Sequence, residues 1–141
     1  MAITFPTVAM TNGVFPPNAK GHSYQPMPYH GAHTHGTRGG MKKLWSIPQN
    51  GEYFVFNYGD LNNWVDNVAR GVVSFLDGCN EVLGKNGQRL AFFPTPTNSI
   101  DPWHGYPIGS DEIEDDSLVE SWFEHGFITL TIKQRILRGA L

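Results

Sequence analysis

Proline and glycine are concentrated in two stretches of the chain, and they limit where helices and strands can form. Residues 11–40 contain Pro16-Pro17, Pro26 and Pro28 among repeated glycines, so neither a helical nor a strand period survives there. A second such stretch covers residues 94–110. Loops of this length inside a compact domain are usually functional. The sequence therefore predicts a single domain over residues 1–141, large enough to bury a core, with a loop-rich N-terminal segment at 1–43.

Apolar patterns outside these stretches indicate an α+β fold. Residues 44–58, divided by a turn signal at Asn50-Gly51, have the aromatic and β-branched residues of a hairpin. Apolar residues at i, i+3, i+4 and i+7 spacing predict a helix over residues 61–77. Runs at 89–93 and 127–132 predict two further strands. We expect a small, mainly antiparallel sheet packed on one long amphipathic helix, with two long Pro/Gly-rich loops crossing one end.

The segment 118–138 has two interpretations. Ser117-x-x-Glu120 has the form of a capping box ahead of a short helix, and the alternation at 127–132 then favours a strand. The alternative joins residues 118–138 into a helix, a glycine-containing turn and a second helix, which resembles a helix-turn-helix DNA-binding module. The β-prone run and the bulk of Trp122 favour the first interpretation.

Charge is distributed unevenly along the chain. The net charge of −3 argues against a protein whose main role is to bind nucleic acid, because such proteins normally present a basic face. Residues 1–51 contain four bases and no acid, whereas residues 101–141 contain eight acids against three bases, five of these acids within 111–116. This asymmetry supports an alternative function, a non-catalytic protein–protein interaction module that uses the basic N-terminal segment and the acidic 111–116 strip.

The sequence indicates a cytoplasmic protein without a membrane segment. Its first residues lack the basic and apolar regions of a secretory signal, and it contains no run of 18 apolar residues. Cys79 is the only cysteine, so an internal disulfide is excluded, and its place among apolar residues predicts a buried thiol. Nothing in the sequence indicates an oligomeric state.

The densest set of chemically active side chains lies between residues 30 and 40. We predict that His30, His33 and Arg38 bind a ligand and that His35 is a candidate catalytic acid or base. The guanidinium and the glycine backbone N–H groups of this stretch suit an anion. No acidic residue stands at the spacing that would complete a metal site, so we expect neither a metal nor a cofactor.

The second dense stretch is residues 101–107, where two prolines enclose three functional side chains. His104 is the other candidate catalytic residue, and Trp103 and Tyr106 are predicted to contact a ligand with their rings. The alternative is that these rings cover the core while His104 satisfies a backbone carbonyl. Our main hypothesis is that 30–40 and 101–107 converge into one pocket for an anionic or nucleotide-like ligand.

Overall fold

A computed structural model describes residues 4–27 and 43–141, which form an antiparallel sheet with helices on both faces. The helices are α1 (Gln49–Leu61), α2 (Asp116–Glu124) and α3 (Leu130–Leu137). The strands are β1 (Val65–Asp66), β2 (Gly71–Ser74), β3 (Leu90–Pro94) and β4 (Tyr106–Ile108). Single 3-10 turns occur at Asp77–Cys79 and Ser110–Glu112. The predicted α+β class with a small antiparallel sheet is confirmed.

The four strands pair in sequence order, each antiparallel to the next. Val72 lies opposite Phe93 and Phe92 lies opposite Tyr106. Every residue of β2 is buried, because successive side chains point to opposite faces of the sheet and both faces are covered. The run Gly71–Ser74 is therefore buried without alternation, as in strands covered on both sides.

One face of the sheet, here called the N-terminal face, is covered by α1 and by the irregular chain between residues 4 and 27. Its backbone is fixed by bonds such as that from the Phe15 N–H to the Tyr24 carbonyl, at 2.8 Å. Most of the buried side chains in the core on this side are aromatic. The core consists of Phe15, Tyr24, Trp45, Tyr53, Val55, Phe56, Val72, Leu76, Leu83, Ala91, Phe93 and Trp103.

The opposite, C-terminal face is covered by α2 and α3. Trp64 stacks on Phe75 with ring centroids 4.5 Å apart, and Trp122 meets both rings edge-on. The buried residues on this side are Trp64, Val73, Phe75, Cys79, Leu90, Ile108, Leu118, Val119, Trp122, Ile128, Ile132 and Ile136. Together the two apolar layers enclose the sheet.

Two of the predicted elements are wrong, and their positions are exchanged. The predicted hairpin at 44–58 is largely helix α1, and the predicted long helix at 61–77 contains β1, β2 and the turn between them. The chain reverses at Asn63 and Arg70, both of which have positive φ and so interrupt any helix. The helix that packs on the sheet over Val72 and Ser74 is α1.

The second half of the chain agrees better with the sequence patterns. The strand predicted at 89–93 is β3, and the short helix predicted after Ser117 is α2. The strand predicted at 127–132 is wrong, because helix α3 begins at Leu130 after a turn at Gly126. The order of helix, glycine turn and helix is therefore the observed one. Among the described residues no helix is long and apolar enough to cross a bilayer.

Candidate functional site

The structure describes three of the seven predicted site residues, and they occupy three different environments. Trp103, His104 and Tyr106 lie in the stretch that leads into β4. The other four lie outside the described residues: His30, His33, His35 and Arg38.

Trp103 is a core residue. It is 8% exposed, and its ring centroid lies 5.4 Å from that of Phe56 and 5.0 Å from that of His22. Its backbone pairs with the N-terminal segment: the Trp103 N–H donates to the Ser23 carbonyl and the Gln25 N–H donates to the Trp103 carbonyl, both at 2.8 Å. Trp103 thus fixes residues 23–25 beside the second loop, while its ring packs inside the protein.

His104 lines a cavity of about 440 Å³, within the range of roughly 300–1,000 Å³ that is typical of small-ligand sites. Nδ1 of His104 is buried and has no hydrogen-bond partner among the described residues. Burial lowers the pKa of this imidazole below 6.5, so the ring is neutral at pH 7. The other described lining residues are three polar residues, two prolines and a methionine: Gln25, Thr97, Asp101, Pro96, Pro102 and Met27.

Both neighbours of the segment 28–42 contact the second loop or the strand that follows it. Met27, the last described residue before that segment, lines the cavity of His104. Lys43, the first described residue after it, places its ammonium 4.6 Å from the ring centroid of Tyr106 and 2.6 Å from Oε1 of Glu112. The predicted convergence of the two stretches itself lies outside the described residues, but these neighbouring positions are compatible with it.

Tyr106 lines a second, smaller cavity. This cavity has a volume of about 260 Å³ and is lined by Val68, Ala69, Phe92, Tyr106, Ile108, Glu112 and Glu114. Two of the lining residues belong to the acidic 111–116 strip. We call it the acidic cavity.

A buried carboxylate holds the acidic strip in place. Asp66 is fully buried, and its Oδ1 accepts the N–H groups of Val68 and Ala69 while its Oδ2 accepts those of Glu114 and Asp115. Asp115 in turn caps α2 by accepting the Ser117 N–H at 3.1 Å. Hydrogen bonds from Ser117 and Asn67 lower the pKa of Asp115.

Sequence reasoning missed a buried acid on the N-terminal face. The Tyr24 hydroxyl, which is fully buried, donates to Oε1 of Glu52 at 2.9 Å. Burial raises the pKa of Glu52 to about 8 and also raises that of Tyr24, because neither anion is solvated there. Gly105 borders the pair, and a Cβ there would lie 2.2 Å from the Phe93 ring, so the close approach requires glycine. An acid inside an otherwise apolar run is the sequence signal that could have indicated this pair.

A polar cluster at the end of α1 was also missed. Asp60 is 2% exposed, and Nδ1 of His22 lies 2.8 Å from its Oδ2. The same oxygen accepts from Nδ2 of Asn18 at 2.7 Å, and Lys20 lies 3.8 Å from Oδ1. These contacts anchor the N-terminal segment to α1. The sequence analysis did not use His22, because no neighbouring motif marked it.

The described part of the chain supports neither a metal site nor a reactive thiol. Residues 4–27 and 43–141 contain no group of three or more His, Cys, Asp or Glu side chains arranged to hold a metal ion. Cys79 is buried, as predicted, and burial raises its pKa to about 12, which makes the thiolate inaccessible at neutral pH.

Comparison of the chain with protein-family models, with curated proteins and with solved structures gives no match.

Proposed function

We propose that the protein binds a small anionic or nucleotide-like ligand in the cavity of His104, together with the adjoining segment 28–42. The observation that carries the proposal is the buried, unpartnered Nδ1 of His104 beside a cavity of about 440 Å³. An unsatisfied buried polar atom costs about 1–3 kcal/mol, and a ligand or a water that bonds to it recovers part of this cost.

The neutral imidazole suits a particular role. It can accept a hydrogen bond or a proton from a ligand, and it is already unprotonated at pH 7. In this proposal the positive charge for the anion comes from Arg38, with His30, His33 and His35 as further donors. Asp101 also lines the cavity and would repel an anion, so in this proposal the charged group of the ligand lies away from this carboxylate.

The three described residues contribute in different ways. His104 contacts the ligand and is the candidate acid or base for any reaction there. Trp103 supports the cavity through its backbone bonds to residues 23 and 25. Tyr106 lines the acidic cavity and is not among the described residues that line the cavity of His104.

Thermal denaturation in the presence of phosphate, pyrophosphate, AMP or citrate tests the proposal. We expect at least one of these anions to raise the melting temperature of the wild type, with a gain of about 2.7 kcal/mol at a hundred times its Kd. His104→Asn and Arg38→Ala should each reduce this gain by at least half. His125→Asn, which changes an exposed histidine on α2, is the matched control and should behave as wild type.

Two results would contradict the proposal. One is the absence of a shift with every anion. The other is equal shifts in His104→Asn and His125→Asn, which would show that any bound anion lies elsewhere.

A DNA-binding role for α2 and α3 has less support, although the two helices flank a glycine turn as in the alternative interpretation. Their exposed surface carries the acids Asp116, Glu120 and Glu124 beside the bases Lys133, Arg135 and Arg138, and Lys133 is paired with Glu120. Binding to a phosphate backbone requires an excess of positive charge, which this surface does not have. The interaction-module alternative is developed below, because the acidic cavity gives it a specific location.

A further inference from the structure

The acidic cavity combines an apolar floor with a negatively charged rim. Valine, alanine, phenylalanine, tyrosine and isoleucine side chains line it, and among the described residues its charged lining consists of Glu112 and Glu114. Its volume of about 260 Å³ is below the range of roughly 300–1,000 Å³ typical of small-molecule sites. The size therefore suits one side chain of a partner protein better than a free ligand.

The rim is held in place by the chain around it. Asp66 binds the backbone N–H groups of Glu114 and Asp115, and Glu112 accepts the Gly109 N–H at 3.0 Å. Because the backbone of the strip is fixed, its carboxylates stay at the cavity instead of moving apart under mutual repulsion. Rigid, preorganised charges cost less entropy to engage than mobile ones.

Lys43 shows how a cation fits this rim. Its ammonium pairs with Glu112 and lies over the Tyr106 ring, which combines an ion pair with a cation–π contact. Glu114 is exposed, and its carboxylate has no ion pair or hydrogen bond within residues 4–27 and 43–141. Within the described part of the chain, Lys43 thus occupies the Glu112 side of the rim and no cation occupies the Glu114 side.

An exposed apolar residue extends the cavity surface. Val68 lies in the turn between β1 and β2, and 63% of it is accessible to solvent. An apolar side chain that enters the cavity would cover Val68. The apolar area that both residues remove from water would contribute about 25 cal/mol per Å² to binding. The site therefore presents an apolar contact next to a carboxylate that no described residue neutralises.

We propose that the acidic cavity docks a basic segment of a partner protein. An apolar side chain of that segment enters the cavity, and a neighbouring lysine or arginine pairs with Glu114. Lys43 occupies the Glu112 half of the rim in the free protein and competes with a second cation there. The charge complementarity selects a basic partner, and the apolar floor selects one that alternates basic and apolar residues.

Binding of a fluorescent octapeptide of alternating lysine and leucine, measured by anisotropy at low salt, tests this proposal. We expect Glu114→Lys to weaken the affinity about tenfold, since it replaces an attraction by a repulsion. Glu124→Lys makes the same change of net charge on an exposed acid of α2 outside the cavity and should weaken the affinity less than about twofold.

Two further pairs of variants separate the apolar contact and the competition. Val68→Ser should weaken binding about threefold, whereas Val82→Ser, at a valine that is 43% exposed elsewhere, should have no effect. Lys43→Ala should strengthen binding about threefold, because it frees Glu112 and the Tyr106 ring. Lys85→Ala removes an equal charge from an exposed lysine and should change the affinity by much less.

Equal losses of peptide affinity in Glu114→Lys and Glu124→Lys would overturn the proposal, since they would show that the peptide responds only to the net charge of the protein. The proposal would also be overturned if the wild type did not bind the peptide at about 1 mM, which corresponds to a binding free energy weaker than about −4 kcal/mol. Self-association of the wild type that Glu114→Lys abolishes, without peptide binding, would replace the basic partner by a second copy of this chain. None of these outcomes depends on anion binding at His104, so the two proposals fail separately.

Discussion

Both faces of the sheet bury aromatic rings, but the buried acids on the two faces have different hydrogen-bond partners. On the N-terminal face Glu52 and Asp60 find side-chain partners, Tyr24 for the first and His22 with Asn18 for the second. At the edge of the C-terminal face Asp66 is bound by four backbone N–H groups. Backbone donors do not titrate, whereas several of the side-chain partners do.

The two faces should therefore differ in how their stability depends on pH. The C-terminal face should depend mainly on packed volume and little on pH. The N-terminal face should depend on protonation, and it is also the face that holds residues 22–27 next to the cavity of His104. The contrast gives four predictions, in order of expected effect.

The largest effect should come from Trp122, the ring that joins α2 to the sheet. It is fully buried and meets Trp64 and Phe75 edge-on. Trp122→Ala should lower the free energy of unfolding by about 4 kcal/mol, because it removes this contact and leaves a cavity. Urea denaturation at pH 5 and pH 8 should give the same loss at both values.

Trp122→Phe refines this test. The indole N–H of Trp122 is buried without a partner among the described residues. Substitution by phenylalanine therefore removes an unsatisfied donor as well as part of the ring. We expect a loss of only about 1 kcal/mol. A loss that differs between pH 5 and pH 8 by more than about 1 kcal/mol would contradict the assignment of the C-terminal face as insensitive to pH.

The second prediction concerns the pH dependence due to Glu52. Its pKa is about 8 in the folded protein and 4.5 ordinarily, so between these values the folded state holds a proton that the unfolded state has released. Stability therefore falls as the pH rises from 4.5 to 8 and levels off above 8. Glu52→Gln, which stays neutral and can still bond Tyr24, should remove a fall on the order of 3 kcal/mol between pH 5 and pH 8.

The difference between variant and wild type isolates the contribution of Glu52 from that of every other titratable group. Glu124→Gln, at an exposed glutamate, is the matched control and should leave the pH dependence unchanged. Parallel pH profiles for wild type and Glu52→Gln would show that Glu52 is ionised when folded.

The third prediction concerns Asp66. Asp66→Asn keeps one acceptor oxygen but turns an amide N–H₂ towards two of the four backbone donors. We expect a loss of about 2 kcal/mol at pH 7, since two buried donors lose their acceptor. Asp77→Asn, at an exposed aspartate after β2, should cost much less. Similar losses of stability in both variants would indicate that the hydrogen bonds of Asp66 do not hold the acidic strip in place.

The sequence predicted the fold class and the C-terminal elements but exchanged helix and strands in the middle of the chain. Between residues 61 and 76 the apolar positions fit a helical period, yet Leu61 and Val68 are 46% and 63% exposed. The true signal was the β-branched pair Val72-Val73, which is buried because helices cover both sides of β2. Periodicity alone does not separate a doubly buried strand from a helix.

Helix α1 was missed for the complementary reason. Its aromatic residues favour strands, and tertiary packing overrides that preference. Tyr53 stacks on Phe15 of the N-terminal segment and Phe56 packs on Phe93 of β3. On the other side of α1, Phe54 and Tyr58 remain 39% and 37% exposed. Aromatic side chains on both sides of a helix conceal its period.

The candidate site shows a similar division. Composition alone indicated that residues 101–107 are structured and that His104 is a candidate, because a histidine between aromatic residues and prolines is held rigidly. The Glu52–Tyr24 and Asp60–His22 pairs join residues 28 and 38 positions apart. A local pattern can mark Glu52 as an acid beside apolar residues, but it does not indicate the partner of either acid, since the pairs form only when the N-terminal segment crosses α1.

The smallest predicted effect tests the N-terminal cap of α2, at the edge of the C-terminal face. Asp115→Ala should cost about 1 kcal/mol at pH 7, and Asp115→Asn only a few tenths, because asparagine can still accept the Ser117 N–H. The pKa of Asp115 is lowered, so this contribution is present above 3.8 and is lost as the pH falls through the folded value. Asp115→Ala and wild type should therefore converge in stability only in acid, whereas Asp111→Ala, which removes an acid that does not cap α2, should follow wild type throughout. Equal losses at positions 111 and 115 at pH 7 would mean that net charge, and not the cap, sets the stability of α2.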